Sequence, residues 1–280
     1  MTVLAHDSAC EPAAVTGEGL TLDGVTVRFG GHVAVNKLSL SAPLGRLTGL
    51  IGPNGAGKTT TFNACSGLNR ASVGRVFLDG HDVSSFGPAA RSRRGMGRTF
   101  QRMELFDSLT VAGNVAVGRE AGLAGGNPLR HLWSSPKESA DTNARVDAAL
   151  TRCGLDDVAG ELVGVLSTGR RRLVELARVI ASGARMVLLD EPSSGLDSNE
   201  TKRFGVILRS LVEEDGLGIL LVEHDMTLVM GVCDYLYVLD FGNLIFEGTP
   251  VDVHDSPVVR AAYLGEIGAE EAVADAAGEI

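Results

Sequence analysis

Long hydrophobic runs are the first thing missing from this chain. No uncharged apolar stretch among its 280 residues approaches the ~18–20 needed to cross a bilayer, so any work at a membrane is expected to pass through a partner. Cysteine is sparse: Cys10, Cys65, Cys153 and Cys233 are scattered, without C-x-x-C or zinc-like spacing. That argues against a disulfide framework or a structural zinc site and fits reduced thiols. Positive charge is also short, with 25 Lys plus Arg against 35 Asp plus Glu and a formal net charge of −10. A broad nucleic-acid surface is disfavoured, and no nucleic-acid partner is expected. Met1–Glu18 lacks a basic segment followed by an apolar one, so it does not read as a secretory signal and the chain is expected in the cytosol. What remains, 44% hydrophobic and 21% charged residues, is an ordinary soluble composition with ample core material for one large domain or two modest ones.

Residues 1–18 read as a loose polar leader. Leu20–Val27 and Val33–Leu40 read as strands of a small antiparallel sheet, joined by a turn at Gly30-Gly31. Leu47–Ile51 is the first buried core strand, with a helix expected from Lys58 to about Ser66; Arg75–Leu78, ending in Asp79-Gly80, reads as an edge strand. Between about 87 and 172 the pattern is helical and broken by glycine, an inserted subdomain. Inside it, 118–136 is rich in Gly, Pro and Ser, an excursion where Leu129, Leu132 and Trp133 could share one apolar face. Alternation then resumes with a helix over Leu173–Ser182, a strand over Arg185–Leu189, a helix over Lys202–Glu214 and a strand over Gly218–Val222. Apolar runs alternating with helices predict an α/β fold whose parallel sheet is covered on both faces. Tyr235–Leu239 and Leu244–Glu247 read as a terminal hairpin, and 267–280 as a frayed acidic tail beyond a domain at 19–266.

Chemistry enters at Gly52-Pro53-Asn54-Gly55-Ala56-Gly57-Lys58-Thr59-Thr60, which fits G-x-x-x-x-G-K-[ST] between a predicted strand and a predicted helix. The glycines let successive backbone N–H groups turn inward toward phosphate oxygens, and the helix adds its positive end. Lys58 would reach the β- and γ-phosphates, and the Thr59 hydroxyl would ligate Mg²⁺. Downstream, Met186-Val187-Leu188-Leu189 buries a strand that ends in Asp190-Glu191. Asp190 then lies at the carboxyl edge of the sheet, where it can hold the Mg²⁺ hydration shell opposite Thr59. Glu191 is placed to align an attacking water, where orientation matters more than proton affinity.

Leu166-Ser167-Thr168-Gly169-Arg170-Arg171-Arg172 opens a helix just ahead of Asp190, a second start whose free N–H groups suit an anion. In this order the chain resembles the ATP-binding cassettes, a P-loop NTPase (RecA-like) fold with a parallel core sheet, a small antiparallel β-subdomain and an inserted α-helical subdomain. The resemblance implies that Leu166–Gly169 is the signature segment, which contacts ATP held by another subunit. The family pattern there is LSGGQ; Thr168 stands for a glycine and Arg170 for the glutamine. It further implies that Gln101 is the loop glutamine near Mg²⁺, that Ser194-Gly195-Leu196-Asp197 is the D-loop, that His224 is the switch histidine and that Phe29 stacks on adenine. Two cassettes, alike or different, would close head to tail around two ATP molecules and separate after hydrolysis.

Phe29-Gly30-Gly31, Thr99-Phe100-Gln101, Val222-Glu223-His224-Asp225-Met226 and Arg260–Glu266 (RAAYLGE) are similar to one branch, the bacterial importers of branched-chain amino acids. That implies a peripheral ATPase on the cytoplasmic face of the membrane, with a second cassette, integral permease subunits and an extracytoplasmic solute-binding protein as partners. Cassettes for urea or amide import and for lipopolysaccharide export look alike. A soluble cassette acting in translation or DNA repair usually carries two cassettes or long coiled coils, absent here. A cassette that binds ATP but barely turns it over is supported by the altered signature alone. Arg91, Arg93, Arg94, Arg98 and Arg102 read as a solvated basic face, with docking to an acidic permease loop as the second reading.

Overall fold

Gly19–Phe29 (β1) and His32–Pro43 (β2) pair antiparallel from Phe29 opposite His32 back to Gly19 opposite Pro43. They belong to a computed structural model that describes residues 17–99, 103–123 and 136–263. Leu47–Ile51 (β3) is buried throughout and leads into Lys58–Ser66 (α1). Val73–Leu78 (β4) and the two-residue His81–Asp82 (β5) complete an antiparallel sheet of order β2-β1-β4-β5, so β4 is flanked on both sides rather than lying at the edge.

Pro88–Ser92 (α2) is followed by Met96–Arg98 (β6), a strand inside the stretch expected to be helical. Three residues carry no usable period; β6 exists because it pairs in parallel with the strand before Glu191. Val111–Leu123 (α3), Pro136–Cys153 (α4) and Thr168–Ala181 (α5) pack against one another through Val111, Val115, Val146, Leu150 and Val174. Met186–Asp190 (β7), Ser198–Glu213 (α6), Gly218–Val222 (β8), Met226–Val232 (α7), Tyr235–Asp240 (β9), Asn243–Gly248 (β10) and Pro250–Asp255 (α8) follow in order. The hairpin β9–β10 is therefore not terminal, and β9 also pairs in parallel with β3.

The second sheet has the order β10-β9-β3-β8-β7-β6. Residues of its central strands β3, β8 and β7 alternate between two cores, as a period of two requires. Leu47, Ile51, Val187, Leu189, Ile219 and Leu221 pack toward α5, α6 and α7. Leu50, Met186, Leu188, Leu220 and Val222 pack toward Phe62 and Cys65 of α1 and toward the antiparallel sheet. Among the described residues, no helix is long and apolar enough to cross a membrane.

Two helices begin earlier than their apolar pattern suggests, because polar caps set the start. Ser167 accepts from the Arg170 N–H at the head of α5, five residues before the expected Leu173. Asp197 accepts from the Asn199 and Glu200 N–H groups while Glu200 accepts from the Asp197 N–H, a reciprocal cap that starts α6 at Ser198 rather than Lys202.

The expected basic face is not a face. Arg91 is 2% exposed, and its guanidinium donates to Ala64 O at 2.7 Å and Cys65 O at 2.6 Å at the end of α1. Arg98 also turns inward, while Arg93 and Arg94 are exposed. Residues 1–16 of the leader, Phe100–Arg102, the apolar residues Leu129, Leu132 and Trp133, and the chain from Leu264 onward lie outside the described residues.

Candidate active site

The loop from Gly52 to Gly57 leaves β3 at the carboxyl edge of the parallel sheet and enters α1. Gly57 is the cap residue, with φ 97° and no side-chain cap, so the first N–H groups of α1 have no side-chain cap. A Cβ there would stand 2.6 Å from Ala34 O, which leaves glycine as the residue that fits. Asn54 and Gly55 are exposed, Ala56 is buried, and Thr59 and Thr60 lie on the first helical turn, Thr59 open to solvent. The Lys58 side chain is buried and folds back, donating to Gly52 O and, at 2.9 Å, to Pro53 O.

Asp190 closes β7 two strands away from β3 and is 2% exposed. Burial pushes its carboxyl above the usual carboxylate range, against the pull of Arg98, with Glu191 and Glu223 adding to the rise and Lys58 opposing it. Arg98 Nη2 lies 3.5 Å from Asp190 Oδ2, and the Asp190 N–H donates to Thr99 Oγ1. Glu191 follows with φ 46°, a left-handed backbone that a non-glycine residue adopts at a cost of order 1–3 kcal/mol. Its N–H donates to Val222 O at 2.8 Å, which ties the turn after β7 to the end of β8.

His224 Nδ1 lies 4.0 Å from Glu191 Oε1 and 3.8 Å from Glu223 Oε2, so the structure brings together the two residues expected to be catalytic. Glu223 is the residue that sequence reasoning passed over. Fully buried, it accepts from the Ser193 N–H at 2.8 Å and the His224 N–H at 3.1 Å, and so links the turn after Glu191 to the histidine turn. Its position beside His224 was visible in the sequence; its burial depends on the meeting of β7 and β8.

Ser167 and Thr168 are exposed at the head of α5, and Gly169 is buried against Glu200. Gly195 abuts Thr168, so Leu166–Gly169 and Ser194–Asp197 form one neighbourhood within the chain. Arg170, in place of the glutamine, reaches away to Asp157 Oδ2 at 2.8 Å. Phe29 ends β1 and is 53% exposed, available for stacking. Gln101 lies outside the described residues.

A phosphate-binding loop at the edge of a parallel sheet, facing an Asp–Glu strand end and accompanied by a second helix start on an inserted helical lobe, defines an ATP-binding cassette. The ABC transporter family matches residues 35–194, and the chain belongs to it. It is 36% identical over 250 residues to the high-affinity branched-chain amino acid transport ATP-binding protein BraF of Pseudomonas aeruginosa, covering 88% of this chain and 98% of that one. It is likewise 36% identical over 249 residues to LivG of Escherichia coli, a protein of the same description, with the same coverage. Among solved structures, the ADP conformation of MJ1267, an ATP-binding cassette of an ABC transporter, superposes with a TM-score of 0.79 at 29% identity, covering 89% of this chain and 100% of that one. The chain is thus an ATP-binding subunit whose ATPase activity is coupled to transport, and it works with membrane partners.

Proposed function

We propose that this chain is the ATPase subunit of an importer for branched-chain amino acids or closely related small solutes, acting at the cytoplasmic face of the membrane. The observation that carries this reading is the identity of 36% to BraF and LivG over nearly their full lengths. Its partners would be a second cassette, the same or different, integral permease subunits and an extracytoplasmic solute-binding protein. The groove between the core and the helical lobe, lined by Leu68, Pro88, Ala89, Met96 and Val179, is the surface proposed for the permease.

In this reading Phe29 stacks on adenine, and the backbone N–H groups of Gly52–Gly57 and of Lys58, Thr59 and Thr60 surround the phosphates. The Lys58 ammonium exchanges the carbonyls of Gly52 and Pro53 for phosphate oxygens. The residues present suit Mg²⁺: Thr59 and Asp190 offer hard oxygen donors, and Gln101 is the third residue read as a ligand. Mg²⁺ keeps several waters and shares phosphate oxygens, so it needs only one or two protein donors. Bound there, Mg²⁺ would neutralise charge on the β- and γ-phosphates. Glu191 orients water toward the γ-phosphate, His224 contacts that phosphate, and Glu223 sets the position of both turns. Leu166–Gly169 of one subunit covers the nucleotide of the other, and Ser194–Asp197 lies alongside.

Uptake of radiolabelled leucine by cells lacking this chain tests the proposal. Uptake should fall to background, return with the intact chain, and stay at background with Lys58→Ala, whose purified protein should lose fluorescent-nucleotide binding by at least about tenfold through loss of the phosphate-facing charge. Normal leucine uptake in the deletion strain would overturn the substrate assignment, and retained nucleotide affinity would overturn the role of Lys58.

A further inference from the structure

We propose that Arg98 is a positioning residue for the metal-dependent step, clamping Asp190 and α1 into one unit so that the second Asp190 oxygen is presented toward Thr59. The inference rests on the reading of Asp190 and Thr59 as Mg²⁺ ligands. Arg98 lies on β6 opposite Leu188 of β7, two residues before Asp190. Its side chain is 13% exposed and engaged on all sides. Nη2 approaches Asp190 Oδ2 at 3.5 Å, Nη1 donates to Asn63 Oδ1 and Ser66 Oγ at 2.8 Å each, and Nε donates to Thr99 O at 3.3 Å. The flat face of the guanidinium lies 4.6 Å from the centroid of the Phe62 ring.

Each of those partners has a meaning for the site. Asn63, Ser66 and Phe62 belong to α1, the helix whose first turn carries Lys58 and Thr59. Thr99 accepts from the backbone N–H of Asp190. The end of β6 therefore holds Asp190 by side chain and by backbone, while the same guanidinium grips the helix that supplies the other ligand. A buried Arg–carboxylate pair is close to neutral for stability compared with apolar packing, so folding alone gives little reason for it. Metal geometry gives a better one. Mg²⁺ demands near-octahedral ligands at about 2.0–2.1 Å, and a small rotation of a buried carboxylate misplaces its oxygen or the shell water that oxygen holds. Groups that orient metal-binding carboxylates in this way typically change metal affinity about 10–100-fold when removed. Only a planar fork can serve Asp190, Asn63 and Ser66 at once, which distinguishes Arg from Lys here.

The test uses the full-length chain with Mn²⁺ as probe, read from the electron paramagnetic resonance signal of free Mn²⁺ in the presence of saturating ADP. Arg98→Gln should weaken Mn²⁺ binding to the ADP complex about tenfold, while ADP affinity measured in EDTA stays within about twofold of the parent chain. Unchanged Mn²⁺ affinity would overturn the proposal. So would an equal loss of metal-free ADP affinity, which would make Arg98 a prop of the phosphate loop. If Arg98→Gln does not fold, Arg98→Lys keeps the charge without the fork; a loss of at least about threefold in Mn²⁺ affinity supports the clamp, and none refutes it. A parent chain whose ADP complex binds no Mn²⁺ would remove the Mg²⁺ assignment itself, and this inference with it.

Discussion

A methyl group on residue 169 would stand 2.3 Å from Glu200 Oε1, closer than any real Cβ contact. Gly169→Ala must therefore displace the carboxylate that completes the cap of α6, and with it Asp197 and the turn at Ser194. We expect a loss of about 1–2 kcal/mol in urea unfolding; a variant as stable as the parent would show that Glu200 yields without cost. At this scale the sequence is uneven. Lys58, Thr59, Asp190 and Glu191 stand out because strand, loop and helix are contiguous, and the chemistry lies within a few residues of its signal. Glu223 and Arg98 do not stand out, since their partners lie 30 or more residues away and arrive only when the strands pair. An arginine three residues before a glutamine looks like surface until Asp190 is found beside it.

Helix α1 has nine residues, a glycine at its start, no acidic residue in its first turn and no basic residue in its last. Alone it would be marginal. Arg91, reaching in from α2, supplies the missing donors at its carboxyl end through Ala64 O and Cys65 O. Arg91→Met leaves those carbonyls buried without that donor, and we expect a loss of about 3 kcal/mol, roughly 6–12 °C in melting temperature for a chain of this size. Scanning calorimetry checks it; a fall under about 2 °C would mean that water takes over the carbonyls. The ends of β3, α1 and β8 coincide with their sequence expectation because glycine loops and apolar runs are local cues. The apolar runs place the starts of α5 and α6 too late because Ser167 and Asp197 cap through hydrogen bonds that such runs do not register; for α5 the Ser-Gly segment ahead of the run already marks the start.

Each chain offers a phosphate loop on its core and the Ser167 turn on its helical side, and the proposed cycle needs one from each of two molecules. Glu191→Gln keeps the shape and length of the side chain but replaces one acceptor oxygen with an NH2 donor, so the attacking water is no longer held in line and ATP should persist between subunits. Light scattering in line with size exclusion, in MgATP, should then show a dimer: twice the 29.2 kDa chain if it forms alone, or the summed mass of this chain and the partner cassette if it forms with that. A protein that stays monomeric in both cases would count against Glu191 as the residue that aligns water.

The backward fold of Lys58 onto Gly52 and Pro53 bears on how such a cycle ends. When product leaves, the ammonium already has a berth within its own loop, so vacating the site is a substitution of acceptors and not the stranding of a bare cation. Those two internal acceptors brace the loop from both of its ends, Gly52 at the close of β3 and Lys58 at the start of α1.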